Sequence, residues 1–79
     1  MRIDKFLKSS RLIKRRTVAK EACGQERITI NGKTAKAGSE VKVGDIIEIQ
    51  FGNGSLSAKV LKLSDSCRKE DVGTMYEII

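Results

Sequence analysis

The segment MRIDKFLKSSRLIKRRTVAK, residues 1–20, decides how the rest of the chain is read. Ile3, Phe6, Leu7 and Ser10 recur at i, i+3, i+4 and i+7, the spacing of one buried helical stripe. Lys5 and Lys8 project from a different arc. Ser9 and Ser10 interrupt this first helix, and Leu12 and Ile13 connect it to a second one starting between Arg15 and Thr17. The second helix has Val18, Ala19, Ala22 and Cys23 as its apolar face, with Gly24 in the position of a left-handed C-cap.

The same twenty residues hold eight of the sixteen Lys and Arg and a single acid, Asp4, for a formal charge of +7. Residues 37–79 carry five bases against seven acids, a formal −2. A solvated helical face mixes both signs at i,i+4 spacing. Segregation of this kind is instead the electrostatic footprint of a surface for a polyanion. Arg15 and Arg16 sit where a helix begins, against the helix dipole. That placement makes chemical sense if phosphate binds among the free N–H groups of the helix start. Arg16 and Lys20 share a face one turn apart. Asp4, alone among bases, reads as a helix N-cap or as an arginine clamp orienting Arg16 or Arg11, with direct contact to the polyanion left open.

Beyond Arg27 the pattern turns to strands. Ile28 and Ile30 alternate with polar neighbours, and Asn31-Gly32 is a strong hairpin signal. Lys33 to Lys36 form the return strand. Turns fall at Gly38 and Gly44-Asp45, and Ile46-Ile47-Glu48-Ile49-Gln50-Phe51 is strongly β-prone. Gly52-Asn53-Gly54 makes a second hairpin tip, and Leu56 to Leu63 reads as an edge strand, because Lys59 and Lys62 fall on opposite faces. The end of the chain leaves strand and helix both open: Arg68-Lys69-Glu70-Asp71 is polar, and Gly73 opposes a continuous helix.

Seventy-nine residues make one small domain, burying only about 60% of its unfolded surface. No apolar run approaches a membrane span of roughly 18 to 20 residues, and none follows the basic start as in a secretory signal. Cys23 and Cys67 stand singly and the chain has no His, which leaves a zinc site without ligands and catalysis without its commonest general base. The two thiols read as reduced. No close acid pair or phosphate loop is present. The expectation is a protein that is not an enzyme and takes no metal or cofactor. Phe6 and Phe51 read as core, so no aromatic platform stacks single-stranded bases, and recognition of a polyanion rests on its backbone and shape. Lys36 and Lys42 read as solvated.

Arg2-Ile3-Asp4-Lys5-Phe6-Leu7, Ser10-Arg11-Leu12, Arg15-Arg16-Thr17-Val18-Ala19, Ile28-Thr29-Ile30-Asn31-Gly32-Lys33 and Val41-Lys42-Val43-Gly44-Asp45-Ile46-Ile47 follow in one order and spacing. Together they resemble the RNA-binding domain named after small-subunit ribosomal protein four, the S-four domain. The resemblance implies an α+β fold with the α-L motif: two N-terminal helices packed on a small, bent antiparallel sheet over residues 1–63, followed by a short C-terminal tail, 64–79. It also implies an RNA face at the end of the first helix, the start of the second and the hairpin. By position that nominates Arg2, Asp4, Lys8, Arg11, Arg15, Arg16, Lys20 and Lys33.

With so little attached to the domain, the chain looks like the small ribosome-associated factors of bacterial quality control, which resemble a shortened fifteen-kilodalton heat-shock protein. It departs from them at Val72-Gly73, where family tails are more helix-prone. The resemblance implies a cytoplasmic monomer that contacts large-subunit rRNA and tRNA, on large ribosomal subunits still holding peptidyl-tRNA after a stalled ribosome splits. It further implies help to a partner protein that tails the stalled peptide. Two rivals are an RNA-targeting subunit of an RNA-modifying complex and a small DNA-binding helix-turn-helix protein. The β-rich half and the need for a dimer partner count against the latter.

Overall fold

Helix α1 (Ile3–Ser9) forms where the stripe places it, and Ile3, Phe6, Leu7 and Ser10 are all fully buried. The computed structural model describes residues 1–63 and 75–79. No side chain caps the helix start. The orphan amides of a first turn need partners. Here the Ile3 and Asp4 N–H groups donate to the carbonyls of Ser39 (2.8 Å) and Ala37 (3.4 Å). The Lys5 N–H donates to the Asp4 carboxylate at 2.8 Å. Asp4 is therefore not the N-cap; it lies inside the first turn, and a distant loop completes the helix start.

Both helices end on a charged residue in the left-handed region, where glycine is usual. After α1, Arg11 has φ 62° and its N–H donates to the Lys8 carbonyl at 3.1 Å. Helix α2 (Arg16–Gly24) keeps Gly24 inside the helix, and the left-handed position falls to Glu26, φ 60°. The reason is the pair of closing bonds: Glu26 N–H to the Cys23 carbonyl and Arg27 N–H to the Ala22 carbonyl, at 3.1 and 2.9 Å. They form a Schellman motif two residues beyond the glycine. On α2, Ala19 and Cys23 are buried and Ala22 half-buried, but Val18 is 44% exposed. The apolar face is narrower than its sequence suggested, because the Ala19–Cys23 line alone faces the core.

Among the described residues five antiparallel strands follow: β1 (Ile28–Ile30), β2 (Lys33–Thr34), β3 (Ile46–Phe51), β4 (Gly54–Val60) and β5 (Tyr76–Ile78), in the order β2-β1-β3-β4-β5. Asn31 (φ 54°) and Gly32 (φ 82°) make the β1–β2 turn with two positive φ values, the signature of a type I′ hairpin. The return strand is two residues long instead of reaching Lys36, although the Ala35 N–H still donates to the Ile28 carbonyl.

Strand β4 stops at Val60, not Leu63, and is not an edge, since Ala58, Lys59 and Val60 pair with Ile78, Glu77 and Tyr76. Its alternation is regular within these bounds; the irregular Lys62 lies beyond the strand. Phe51 shares the face of Ile47 and Ile49 yet is 46% exposed, at the strand end the helices leave uncovered. The core unites Ile3, Phe6, Leu7, Ala19 and Cys23 with Ile28, Val41, Ile47, Ile49, Val60 and Met75. Ile30 packs against it half-buried. Cys67, the Arg68–Asp71 run and Val72-Gly73 lie outside the described residues.

Candidate nucleic-acid interface

Asp4 has no exposed surface, and a buried carboxylate must be satisfied. Two arginines converge on it. Arg2 places Nε 3.3 Å from Oδ1 and Nη2 3.4 Å from Oδ2, and Arg16 places Nε 3.4 Å from Oδ2. The residue just before α1 and the first residue of α2 thus meet at one acid in the first turn of α1. The two arginine side chains remain 48% and 45% exposed. With solvent screening each pair contributes about 0.2–1 kcal/mol, so the arrangement orients guanidinium groups more than it holds the fold. Of the two orientations anticipated for Asp4, the Arg16 clamp forms; Arg11 makes no such bond and Arg2 takes its place.

A second group lies at the end of α1, where Lys8, Arg11 and Lys14 line a groove of about 300 Å³. Arg11 reaches it through its left-handed backbone. Backbone strain of this kind collects at functional sites, because the fold must over-determine it. Lys14 was not among the residues singled out from the sequence; its signal was membership of the same basic run. Arg15 is the exposed N-cap residue of α2, and no side chain caps that start. Lys20 stands exposed one turn past Arg16. Lys33 is exposed on β2, the outermost strand, and among the described residues no hydrogen bond or ion pair joins it to the clamp. The structure therefore gathers Arg2, Asp4 and Arg16 at one point and Lys8 and Arg11 at another, with Arg15 and Lys20 beside them on α2.

Cys23 is free and buried, and burial, followed by the Asp4 charge, pushes its thiol above the ordinary range. Among the described residues no helix is long and apolar enough to cross a membrane, and no group of three or more His, Cys, Asp or Glu could hold a metal ion.

The model of the S4 domain matches residues 1–47, which span both helices, the hairpin and the first residues of β3. The chain is 57% identical over all 79 residues to the RQC P-site tRNA stabilizing factor of Streptococcus pneumoniae, covering 90% of that protein. It is 53% identical to the protein of that name from Bacillus subtilis, covering 92% of it. The chain belongs to the S4-domain family of RQC P-site tRNA stabilizing factors. Its S4 fold also matches the trimeric structure of Vibrio cholerae heat shock protein 15, at a TM-score of 0.92 and 26% identity over the whole chain and 81% of that one. A hypothetical protein solved in solution matches at 0.87 and 34%, over 100% and 96% of the two chains. The S4 match ends at residue 47, so β4 and β5 extend the sheet beyond the matched segment.

Proposed function

We propose that this S4 protein is a non-catalytic RNA-binding factor of ribosome-associated quality control, acting on large ribosomal subunits that hold peptidyl-tRNA in the P site. The observation that carries the reading is the full-length similarity to P-site tRNA stabilizing factors, 57% over every residue of the chain. The geometry supplies the means. Guanidinium groups fork onto phosphate oxygens, and a clamp that fixes them before binding lowers the ordering cost. Arg2, Arg16 and Lys20 form one cationic track, and Lys8 and Arg11 another. Structured rRNA and tRNA are read by shape and backbone, which fits a face with no exposed aromatic ring among its basic residues.

Large-subunit rRNA and the tRNA are the two RNA partners, and holding the tRNA steady serves a partner protein that tails the stalled peptide. The setting is the bacterial cytoplasm. We take one copy per subunit as the binding unit. The heat shock protein 15 relative was solved as a trimer, and analytical ultracentrifugation of the free protein decides between the two states.

The test compares Arg16→Ala with Lys59→Ala, which removes the same charge from the exposed side of β4. Sucrose-gradient sedimentation with large subunits reads binding and circular dichroism confirms folding. Loss of one charge-assisted contact at Arg16 weakens binding by about ten- to a hundredfold. Lys59→Ala changes little. Equal retention of both variants overturns the assignment of the face.

A further inference from the structure

The Arg16–Lys20 track does not end at Lys20. It runs into a groove of about 510 Å³ between the last turns of α2 and residues 34–37. Its floor is Cys23 and Ala35, both buried, with Ala37 half-buried beside them. Its rim carries Lys20 on the helix side and Lys36 on the loop side, with Glu26 and Thr34 between. The groove and the clamp share a chain segment. The Ala37 carbonyl accepts the Asp4 N–H, and the Arg2 guanidinium lies 4.0 Å from where a Gly38 side chain would begin. Asp4 also acts on the thiol at the groove floor, so clamp and groove are electrostatic neighbours. One chain segment, residues 35–39, therefore walls the groove and completes the clamp.

We propose that this groove receives one unpaired nucleotide of the bound RNA, its base against Cys23, Ala35 and Ala37 and its phosphate between Lys20 and Lys36. The inference rests on the RNA-binding reading and deepens it. Two lysines on an apolar floor match the two halves of a nucleotide: cationic rim to phosphate, uncharged floor to the flat base. The volume falls within the 300–1,000 Å³ of sites for small organic groups. RNA recognition favours bases that have left the stack. The small residues of the floor leave room for a ring where an aromatic platform would stack it. Glu26 adds a preference. A carboxylate accepts from exocyclic amines, so adenine and cytosine are favoured over uracil. Lys36, unremarkable as a lone base in the sequence, gains its role from facing Lys20 across the groove.

Gly24 provides the test. It lines the groove from inside α2, its φ is not positive, and a side chain started there meets nothing within 4 Å. Gly24→Leu fills the groove without touching a charge, and replacing a helical glycine keeps or raises the melting temperature. The probes are adenosine 5′-monophosphate, uridine 5′-monophosphate and, without a base, ribose 5-phosphate, titrated against ¹⁵N-labelled protein. Expected are adenosine-monophosphate shifts at the Cys23, Ala35 and Ala37 amides, weaker ones from uridine monophosphate, and shifts from ribose 5-phosphate confined to Lys20 and Lys36. Gly24→Leu abolishes the base-dependent shifts and weakens binding to large subunits by about fivefold, the low end for one base contact. Identical shifts from all three probes, or Gly24→Leu binding subunits as tightly as the parent, overturn the groove while leaving the Arg16 result intact. If Arg16→Ala also binds like the parent, the RNA face fails and the groove falls with it.

Discussion

Asp4→Asn separates two accounts of the lone acid in the basic face, because they differ in sign. If the acid only opposes RNA, its removal tightens binding. A phosphate seated on either guanidinium lies on the order of 7 Å from the carboxylate, a repulsion of about 0.6 kcal/mol in water. If the acid positions Arg2 and Arg16, its removal frees two long side chains that must be ordered again on RNA. That costs about 0.5–1.5 kcal/mol each, or 1–3 kcal/mol together.

The clamp wins the comparison, and the net expectation is a two- to fiftyfold weaker complex, roughly. The cationic contacts stay the same in number. The slope of log affinity against log salt, about −4 to −5 for some six phosphate contacts, should therefore not change. The fold loses two half-exposed ion pairs and gains a buried amide whose N–H groups face the N–H groups of Arg16, together on the order of 2–4 kcal/mol. That leaves a folded protein near 15 °C, where stability is commonly greatest. Filter binding to purified large subunits carrying P-site tRNA, at several salt concentrations beside circular dichroism, makes the measurement. A folded Asp4→Asn that binds more tightly with an unchanged slope refutes the clamp.

Three further outcomes follow from the fold. Phe6 is fully buried at the centre of α1, and Phe6→Ala should cost about 3–5 kcal/mol of the roughly 4–12 kcal/mol available to a chain of this length, read by urea denaturation. Arg11→Gly and Arg11→Ala should weaken RNA binding alike, but Gly relieves the left-handed backbone and should be the more stable by about 1 kcal/mol; equal midpoints would contradict the strain. In a Cys67→Ser background, the Cys23 thiol, raised above its ordinary 9.0 by burial and then by Asp4, should resist iodoacetamide at pH 8 until denaturant is added. The neutral thiol's contribution to stability is complete below pH 9.0 and is lost as pH rises through the raised value. Rapid alkylation of folded protein would contradict its burial.

The elements legible in the sequence are those whose signals are local. The i, i+3, i+4, i+7 stripe located α1, Asn31-Gly32 fixed the first hairpin, and the six-residue run at Ile46 became β3 residue for residue. What was not legible depends on distant packing. Gly24 advertised a left-handed cap that the bonds to the Ala22 and Cys23 carbonyls placed two residues later, at Glu26. Phe51 and Val18 carry core-type side chains at positions no partner covers. Strand β5 could not be told from helix, because three residues hold too little period and only pairing with Ala58 to Val60 decides it. At the candidate interface the charge run marked where the basic residues lie. That Asp4 grips Arg2, just before α1, and Arg16, at the start of α2, followed only from how the helices pack, and the Lys20–Lys36 groove only from where residues 34–37 pass.

The start of α1 leans on residues made much later. Its first amides donate to Ala37 and Ser39, the Met1 carbonyl accepts the Val41 N–H, and Met75 seals the far side of the core. Until residues 37–39 have been made, the first amides of α1 lack the carbonyls of Ala37 and Ser39. A fragment that stops before residue 37 carries every one of the charges of residues 1–20 but lacks the carbonyls that complete the start of α1.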